Sequence, residues 1–379
     1  MTGSLVLERT QSTAVHTTFR AAVMPAPGAP VEMKDFPMVT AGPGEVVMRT
    51  LYSEVCGTDV HIQDGKVDGV PYPVIPGHFS VGVAESVNGH VTSVDGRPIR
   101  PGDMISFLDV HRTCHKCRHC LITKTPTKCT KRKVYGVTHS STEGPLGGWS
   151  ERVLLEDDVL IAHLPKGLEP KRFIAGGCAM PTAIHAVERG GVGPGQLVVV
   201  QGAGPVGLCA AMAAFAAGAQ VVVCDFAEVR LKVAAQLGFD CVNLSDEENA
   251  ADAIHKHSGG HMADVVIEAT GAPAAVPAGM SMVRDGGCYV IVGHYSDAGE
   301  TAINPYRHIN QKHLEVRGTW GIEYRHFHRA LHLLATLTTP SGISDIETVL
   351  TKSFPLDRAQ DALDAVRRRD VVKAIISLQ

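Results

Sequence analysis

The sequence is poor in aromatic residues and has no strong excess of charge of either sign. Aromatic side chains make up 5% of its 379 residues, and the formal net charge is −4 at pH 7. This balance gives no electrostatic reason to expect nucleic acid or an anionic membrane surface as a partner. We therefore expect neither.

Long, uninterrupted hydrophobic runs are also missing. The apolar stretch Leu5 to Leu7 is too short for the core of a secretory signal. The longest apolar run, Leu197 to Phe226, is broken by glycines and a proline, so a strand, a turn, a helix and a second strand explain it better than a membrane span. We expect a cytoplasmic protein in which residues 1–18 form a disordered or extended tail, with a transit peptide as the alternative interpretation of that tail.

The placement of the ten cysteines is more informative than their number. Because no export signal is expected, a reducing compartment is expected, and there clustered thiols act as metal ligands rather than disulfides. Six cysteines lie before residue 180: Cys56, Cys114, Cys117, Cys120, Cys129 and Cys178. The later four lie in apolar segments and are predicted to be small buried side chains: Cys209, Cys224, Cys241 and Cys288.

Two patterns divide the chain, whose length already favours two domains. From about residue 19 to 176, short valine-rich runs are separated by Gly and Pro, which is typical of a small, mostly antiparallel β domain. From about Pro181, buried apolar runs alternate with helical segments, which indicates a parallel α/β sheet. After about Tyr324, two helical segments precede a last strand, Lys373 to Ser377. The predicted fold class is α/β.

A glycine-rich segment joins the predicted strand Leu197 to Gln201 to a predicted helix over Leu208 to Ala217. Its glycines permit a tight turn, let the backbone approach a pyrophosphate and let the helix pack on the strand, while the helix N-terminus stabilises the phosphate charge. The residues of this segment predicted to bind a dinucleotide are Gly202, Gly204, Pro205, Val206 and Gly207.

Asp225 ends the next predicted strand. A carboxylate at this position accepts hydrogen bonds from the adenosine ribose and repels a 2′-phosphate, so NAD is favoured over NADP. Arg230, in the following helix, would weaken that preference if it reached the same ribose. A strand end with a solvated aspartate is the structural alternative.

Four of the cysteines lie in a polar segment rich in Lys and His. Four thiolates held by short loops satisfy tetrahedral zinc and leave no open coordination position for chemistry. Four unrelated thiols packed by chance do not fit so polar a segment. We therefore predict a structural zinc lobe over residues 111–133, with these ligands: Cys114, Cys117, Cys120 and Cys129.

Cys56, His78 and Cys178 form a second candidate metal set. Two thiolates and one imidazole leave a fourth coordination position open for water or substrate. Each of these residues alone would more often be structural, but together with a dinucleotide loop they favour a catalytic metal.

These motifs make the sequence resemble the zinc-containing alcohol dehydrogenases of the medium-chain dehydrogenase/reductase family. The resemblance runs from about Phe19 to the C-terminus and includes Cys-Gly-Thr-Asp-x-His, Pro-Gly-His, Gly-Trp-Ser-Glu, the four cysteines and the glycine-rich loop. It implies a GroES-like catalytic domain of residues 19–180 and 324–379, and a Rossmann NAD-binding domain of residues 181–323. It also implies two zinc ions per chain and a homodimer or homotetramer.

The resemblance further implies roles for individual residues. Cys56, His78 and Cys178 would bind the catalytic zinc, and Asp59 would orient the His78 ring. Zinc is a Lewis acid, so an alcohol hydroxyl held there becomes acidic enough for NAD to take a hydride from its carbon.

The implied proton path begins at Thr58, which would accept the alcohol proton and pass it through the cofactor ribose to His61 and solvent. Thr182 would pack near the nicotinamide, and Lys373 would approach the pyrophosphate. The expected substrate is a small-molecule alcohol or the matching carbonyl compound.

One departure from the family pattern bears on the substrate. Phe79 follows the Pro-Gly-His histidine, where the family usually has Glu, and sorbitol-type enzymes use that Glu as a zinc ligand. The apolar replacement argues against a sorbitol-like site and favours a bulky or cyclic secondary alcohol. Tyr72, Val110 and Trp149 are further candidate walls that could equally be core.

Two alternatives to this function stay open at the level of sequence. Within the enzyme class, the substrate could be a small primary alcohol or aldehyde. Outside it, the chain could be a non-catalytic NAD-binding protein, although such a protein would be expected to have lost zinc ligands and the Thr58 and His61 pair.

Overall fold

The computed structural model describes residues 17–246 and 249–379, so most of the predicted tail lies outside the described residues. The strands are β1 (Thr18–Val23), β2 (Glu32–Pro37), β3 (Val46–Val55), β4 (Ser80–Val87), β5 (Met104–Phe107), β6 (Val110–His111), β7 (Lys133–Val134), β8 (Arg152–Leu155), β9 (Ile161–His163), β10 (Leu197–Gln201), β11 (Gln220–Asp225), β12 (Asp240–Asn243), β13 (Ala263–Glu268), β14 (Val283–Ile291), β15 (Glu315–Gly318), β16 (Thr351–Pro355) and β17 (Lys373–Ser377).

The α-helices are α1 (Gly57–Gln63), α2 (Arg118–Leu121), α3 (Pro170–Gly176), α4 (Ala179–Gly190), α5 (Pro205–Ala216), α6 (Glu228–Gln236), α7 (Ala250–His257), α8 (Ala275–Met282), α9 (Tyr324–Thr336), α10 (Ile346–Leu350) and α11 (Ala359–Arg367). Within the described ranges, no helix combines the length and the apolar character needed to cross a membrane.

Six parallel strands form one sheet in the order β12-β11-β10-β13-β14-β15. Numbered within this sheet, the order is 3-2-1-4-5-6, which is the doubly wound dinucleotide-binding arrangement. Val198 and Val200 of β10 pack in one core cluster and Val199 packs in another. Successive strand side chains point to opposite faces, so this sheet is buried on both faces, as its unbroken valine run requires.

A second sheet of seven strands has the order β16-β17-β3-β4-β5-β9, with β8 also paired to β3. Its pairs are antiparallel except for β16 and β17. The final strand β17 pairs with β3, and Ala374 lies opposite Val55. The C-terminal segment therefore completes a sheet that begins near the N-terminus.

One core cluster joins the two sheets. It contains Phe79 and Phe173 from the antiparallel part, Ala183 of α4, and Leu208 of the parallel part. Helix α4 packs on both α5 and α9. The predicted α/β class, a β domain combined with a doubly wound parallel sheet, is confirmed.

Boundaries differ from the sequence-based expectation where pairing or capping extends an element. The helix expected from Leu208 begins at Pro205, because proline fits the first turn of a helix and Gly204 takes the cap position. Strand β3 continues through the polar residues Ser53 and Glu54 to Val55, because its last residues pair with β17.

Candidate active site

Cys56, His78 and Cys178 come together from three separate segments. Cys56 follows β3 and caps α1, where its sulfur accepts the Thr58 N–H at 3.3 Å. The Cys56 sulfur lies 3.8 Å from His78 Nε2, and the ligand atoms of all three residues fall within 4.8 Å of one another. Tetrahedral zinc with bonds of roughly 2.0–2.3 Å holds its ligands about 3.4–3.8 Å apart. The three side chains therefore fit one zinc ion.

Gly77 allows the chain to bring His78 into this cluster. Its φ is +87°, and a Cβ atom there would lie 2.4 Å from Trp149 Cδ1 and 2.6 Å from Ser53 Oγ. No other residue could adopt this turn without displacing the fully buried indole ring. The Pro-Gly-His motif thus has a steric reason for its glycine.

Glu54 is a fourth group at this cluster, and sequence analysis missed it. Its carboxylate is fully buried in β3, with Oε1 3.5 Å from His78 Nε2. The Cys178 N–H also faces its two oxygens, at 3.1 and 3.0 Å. The carboxylate that the family places after the histidine is absent at Phe79, and here Glu54 brings one to the metal cluster from a different strand. The only feature of the sequence that could have identified Glu54 is an acidic residue in a largely apolar strand, two residues before Cys56.

Lys373 pairs with Glu54 in the structure. The side chain is 3% exposed, and its ammonium donates to Glu54 Oε2 at 2.8 Å and to the Gly176 carbonyl at 3.2 Å. Burial alone would lower the pKa of Lys373, but the negative charge of Glu54 raises it above its usual range. The predicted approach of Lys373 to the pyrophosphate stays a prediction beside this contact.

Asp59 contacts the backbone on either side of the cluster. Its buried carboxylate accepts the Cys56 N–H at 2.8 Å and the Gly77 N–H at 3.4 Å. His78 Nδ1 has no hydrogen-bond partner among the described residues. Asp59 therefore fixes the chain next to Cys56 and His78, and its predicted role in orienting the His78 ring stays a prediction. Burial raises the pKa of Asp59 well above its ordinary value.

The environment also prepares Cys56 for a metal. A hydrogen bond with Cys178 lowers the pKa of Cys56 well below that of an ordinary thiol, and His78 adds to this effect although burial opposes it. The thiolate is the form that binds a metal ion. Electrostatics and geometry therefore favour the same chemistry at this position.

Thr58 and His61 lie three residues apart on α1 and so share one side of the helix. Both are half-buried, and His61 Nδ1 has no hydrogen-bond partner within the described part of the chain. Thr182 lies in the first turn of α4, where its N–H faces the Cys178 carbonyl at 3.3 Å. All three predicted residues thus lie on the helices that follow the two cysteine ligands.

The apolar walls expected from Phe79 and Trp149 are core instead. Phe79 is fully buried against Phe173 and Phe327, with ring centroids 6.4 and 5.9 Å away. Trp149 is fully buried and donates its indole N–H to the Glu54 carbonyl at 2.9 Å. Neither side chain reaches a surface that a substrate could contact.

An aromatic pair that sequence analysis missed lies near the metal cluster. The rings of Tyr295 and Trp320 stack with centroids 6.0 Å apart, and Tyr295 is 40% exposed. Burial raises the pKa of Tyr295, and the charges of His78 and Cys56 also act on its hydroxyl. Lys128 of the cysteine lobe lies 4.0 Å from the Trp320 ring centroid. No local sequence motif marks these two rings.

The four cysteines of the predicted lobe converge on one point. Cys117 Sγ lies 3.6 Å from Cys120 Sγ and 4.0 Å from Cys129 Sγ, and the Cys114 N–H donates to the Cys129 sulfur at 3.3 Å. Zinc–sulfur bonds of about 2.3 Å in a tetrahedron separate the sulfurs by about 3.8 Å. This set also fits zinc, with all four positions filled by protein.

The glycine-rich loop has the shape that a pyrophosphate requires. A Cβ atom at Gly207 would lie 1.8 Å from the Gly202 carbonyl oxygen, whereas the space beside Gly204 is open for at least 4 Å. Pro205 and Val206 form the first turn of α5, which follows this open space. Backbone N–H groups and the helix N-terminus can therefore approach an anion.

Asp225 lies at the end of β11 and organises this loop. It accepts the Ala203 N–H at 2.7 Å and the Ala227 N–H at 2.9 Å. Arg230 Nη1 lies 3.9 Å from the same carboxylate. The two residues expected to determine the choice of nucleotide are therefore neighbours in the fold.

A parallel nucleotide-binding sheet packed beside a buried Cys₂His cluster defines a dehydrogenase of the zinc-dependent class. The family model described as zinc-binding dehydrogenase matches residues 205–336, and the model described as alcohol dehydrogenase GroES-like domain matches residues 42–166. The chain belongs to the zinc-containing alcohol dehydrogenase family of the medium-chain dehydrogenase/reductase superfamily, and the predicted family and enzyme class are confirmed.

The relatives cover nearly the whole chain. It is similar to 5-exo-hydroxycamphor dehydrogenase of Pseudomonas putida, with 32% identity over 94% of this chain and 98% of the relative. It is 27% identical to a sorbitol dehydrogenase of Halalkalibacterium halodurans, over 91% of this chain and 95% of the relative. A crystal structure of an alcohol dehydrogenase from Thermotoga maritima matches with a TM-score of 0.90 and 28% identity, over 96% of this chain and all of the other. The protein is thus an alcohol oxidoreductase.

Proposed function

We propose that this enzyme oxidises a bulky or cyclic secondary alcohol to a ketone, with NAD as the hydride acceptor. The observation that carries the proposal is that Cys56, His78 and Cys178 form one cluster close to helix α5, which starts at the dinucleotide loop. Helix α4, which begins directly after Cys178, packs on α5. Metal ligands and the cofactor helix are therefore close neighbours.

The chemistry divides between bound groups and protein side chains. When bound, zinc supplies the Lewis acidity that makes an alcohol hydroxyl acidic, and the nicotinamide of NAD accepts hydride. Thr58 accepts the alcohol proton, His61 passes it to solvent, and Thr182 supports the nicotinamide. Asp59 and Gly77 hold the ligand-bearing backbone in position, so the entropic cost of ordering it does not add to the reaction barrier.

Two observations support a bulky, apolar substrate. The Pseudomonas relative is named for a hydroxylated camphor, a rigid bicyclic secondary alcohol. Tyr295 stacks on Trp320 and is 40% exposed, so it offers an aromatic surface that suits a hydrocarbon ring. Phe79 no longer supports this substrate class because it lies in the core.

NAD is favoured over NADP by the carboxylate of Asp225 at the end of β11. Its negative charge suits two ribose hydroxyls and opposes a 2′-phosphate. The neighbouring Arg230 is 3.9 Å away and partly offsets that charge.

The decisive measurement is NAD reduction over a set of alcohols. We expect the highest kcat/KM for bicyclic and monocyclic secondary alcohols, lower values for small primary alcohols, and the lowest for polyols. The variant Cys56→Ser should lose the catalytic zinc and activity while keeping the structural zinc. No NAD reduction with any alcohol, in protein shown to hold zinc at Cys56, would contradict the proposal.

The proton path is tested at Thr58. Thr58→Val keeps the shape of the side chain but removes its hydroxyl, so kcat should fall about 10²–10⁴-fold, the usual contribution of positioned proton transfer. Thr58→Ser restores a hydroxyl and should recover most of the rate. Equal rates for the two variants would remove Thr58 from the path.

We further propose that the chain forms a homodimer or homotetramer in the cytoplasm. Strand β15 ends the parallel sheet with an open backbone edge, and Val316 on it is 40% exposed. Such edges are usually covered in native assemblies. All ten cysteines lack a disulfide partner, as suits a reducing compartment. Analytical ultracentrifugation distinguishes the monomer, dimer and tetramer.

A further inference from the structure

A third cluster of metal-binding side chains lies outside both cysteine-containing sites. His111 ends β6, His139 lies in the loop after β7, and Glu156 directly follows β8. Their ligand atoms lie within 4.8 Å of one another. His111 is 1% exposed and His139 is 5% exposed. Three segments distant in sequence thus bring two imidazoles and a carboxylate to one buried point.

The atoms that face one another there have no hydrogen-bond partner among the described residues. They are His111 Nδ1, His139 Nε2 and Glu156 Oε2. His111 Nδ1 and Glu156 Oε2 lie 3.3 Å apart. Leaving a buried polar atom unpaired costs about 1–3 kcal/mol. Three such atoms facing one point indicate a missing positive partner.

Carboxylates on the far side of each imidazole determine which ring nitrogen of His111 and His139 carries the proton. His111 Nε2 contacts Asp158, and His139 Nδ1 lies 3.2 Å from Glu143 Oε2. An ionised carboxylate only accepts hydrogen bonds, so each ring donates its N–H outward and turns a lone pair inward. Metal-binding histidines are commonly held by carboxylates in this way.

We propose that His111, His139 and Glu156 form a third site for a divalent transition-metal ion, of which zinc is the natural probe. Two nitrogens and one oxygen suit such ions, and tetrahedral bonds of about 2.0–2.1 Å place the ligands about 3.4 Å apart. The observed 3.3 Å between His111 and Glu156 matches that spacing. One coordination position remains for water.

A proton is the competing explanation, and it satisfies fewer atoms. A proton on His111 Nδ1 would bond to Glu156 but leave His139 Nε2 without a partner. A metal ion satisfies all three atoms together. The surrounding charges also favour a dication, because Asp157 and Asp158 lie beside Glu156 in the chain, with Arg112 as the cation bound to all three carboxylates.

The surroundings hold the ligands in place before an ion binds. The Tyr135 ring packs on His111 and His139, with centroids 5.5 and 5.6 Å away. Its hydroxyl accepts the Glu156 N–H at 3.0 Å. Since Cys114 follows His111 by only three residues, an ion here would anchor the base of the cysteine lobe to the antiparallel sheet.

The test counts metal in the full-length enzyme after equilibration with micromolar Zn²⁺ and gel filtration. Wild type should hold three zinc ions per chain, whereas His139→Gln and Glu156→Gln should each hold two. Glu156→Gln keeps the size of the side chain and is the safer variant for folding. His163→Gln is the matched control, because His163 is also largely buried and bonded to a carboxylate, Asp103, but lies outside the cluster. It should keep three ions.

A second measurement identifies the ligands of the extra ion. Replacing zinc with Co²⁺ should give a third equivalent that adds visible d–d absorption without thiolate charge-transfer bands, because its ligands are nitrogen and oxygen. Zn²⁺ should also raise the Tm of wild type more than that of His139→Gln. Two equivalents in wild type, or a third equivalent kept by both cluster variants, would overturn the proposal.

Discussion

Glu54 and Lys373 form a buried ion pair beside the proposed metal ligands Cys56, His78 and Cys178. A buried charge that loses its partner is expensive, whereas the intact pair contributes little net stability. The pair is therefore best understood as a means of holding a carboxylate at the metal cluster. Lys373 holds the Glu54 carboxylate in place, and Glu54 in turn accepts the Cys178 N–H.

Lys373→Met should lower the free energy of unfolding of the zinc-loaded enzyme by about 3–5 kcal/mol, because it leaves the Glu54 charge buried and unpaired. Arg358→Met is the control, since it breaks an exposed pair with Asp361 and should cost less than about 1 kcal/mol. Urea denaturation measures both. Combining Lys373→Met with Glu54→Gln should recover part of the loss. Equal costs for the buried and exposed pairs would contradict this account.

Asp225→Asn should shift the enzyme toward NADP. The amide keeps an oxygen that accepts a backbone N–H of the loop but removes the charge that repels a 2′-phosphate. A hydrogen bond to a charged group contributes about 1.5–3 kcal/mol, so the ratio of kcat/KM for NAD to that for NADP should fall at least about tenfold. Asp240→Asn, an exposed acid on the neighbouring strand β12, should leave the ratio unchanged. A similar change in both variants would exclude a specific role for Asp225.

For single residues, the sequence predicts the site best where a residue type has few structural roles, as clustered cysteines do. Cys56, His78 and Cys178 were predicted as one metal set, and the structure brings them together. Glu54 and Lys373 were not paired in advance, because their contact depends on β17 lying beside β3. Phe79 was expected to shape the substrate site because it directly follows His78, yet its ring packs in the core against Phe173 and Phe327.

Among the elements, the cysteine lobe has the least hydrophobic support. Helix α2 buries none of its side chains, and Leu121 and Ile122 are 57% and 67% exposed. Its order must therefore come mainly from metal binding, as in small zinc modules. The cation–π contacts of Lys128 and Arg132 with Trp320 attach this lobe to the segment after β15.

Cys117→Ser should remove the structural zinc and unfold the lobe locally. We expect the bound zinc to fall by one ion per chain and residues 111–133 to become the first site of limited proteolysis. Cys241→Ser is the matched control, because Cys241 is half-buried outside any cysteine cluster and should change neither readout. An uncleaved lobe in zinc-depleted Cys117→Ser would show that protein contacts alone order it.

The parallel sheet was predictable as a doubly wound sheet, because its buried apolar strands alternate with helices along the chain. The antiparallel sheet was less predictable. Its valine-rich runs identify strands such as β3 and β4, but their partners depend on contacts between distant segments. No feature of the sequence predicted that β8 would pair with the first half of β3.

Across the whole molecule, acid should destabilise the fold partly through His326. This ring caps α9 by accepting the Glu323 N–H, and it stacks on His185 with centroids 4.3 Å apart. Burial lowers the pKa of His326 from 6.5 to about 3. Between these values the unfolded chain binds a proton that the folded chain does not, so stability falls as the pH drops from about 6.5 toward 3.

His326→Gln should flatten that dependence. Glutamine at this helix position can still accept the capping N–H but cannot titrate. In wild type, His326 should lower the free energy of unfolding by a little over 1 kcal/mol for each pH unit below about 6.5. This loss should be absent from the variant. Urea unfolding at several pH values measures the slope, with His332→Gln, exposed on the same helix, as control. Parallel slopes in wild type and His326→Gln would rule out this contribution.

The pairing of β17 with β3 has a consequence for synthesis of the protein. A ribosome makes the chain from the N-terminus, so all three ligands of the catalytic cluster emerge long before Lys373, which follows Glu54 by 319 residues. Until β17 leaves the ribosome, the antiparallel sheet lacks this strand and Glu54 lacks its partner Lys373. A product that stops before Lys373 would therefore lack the strand that pairs with β3, although all three proposed ligands of the metal cluster are present.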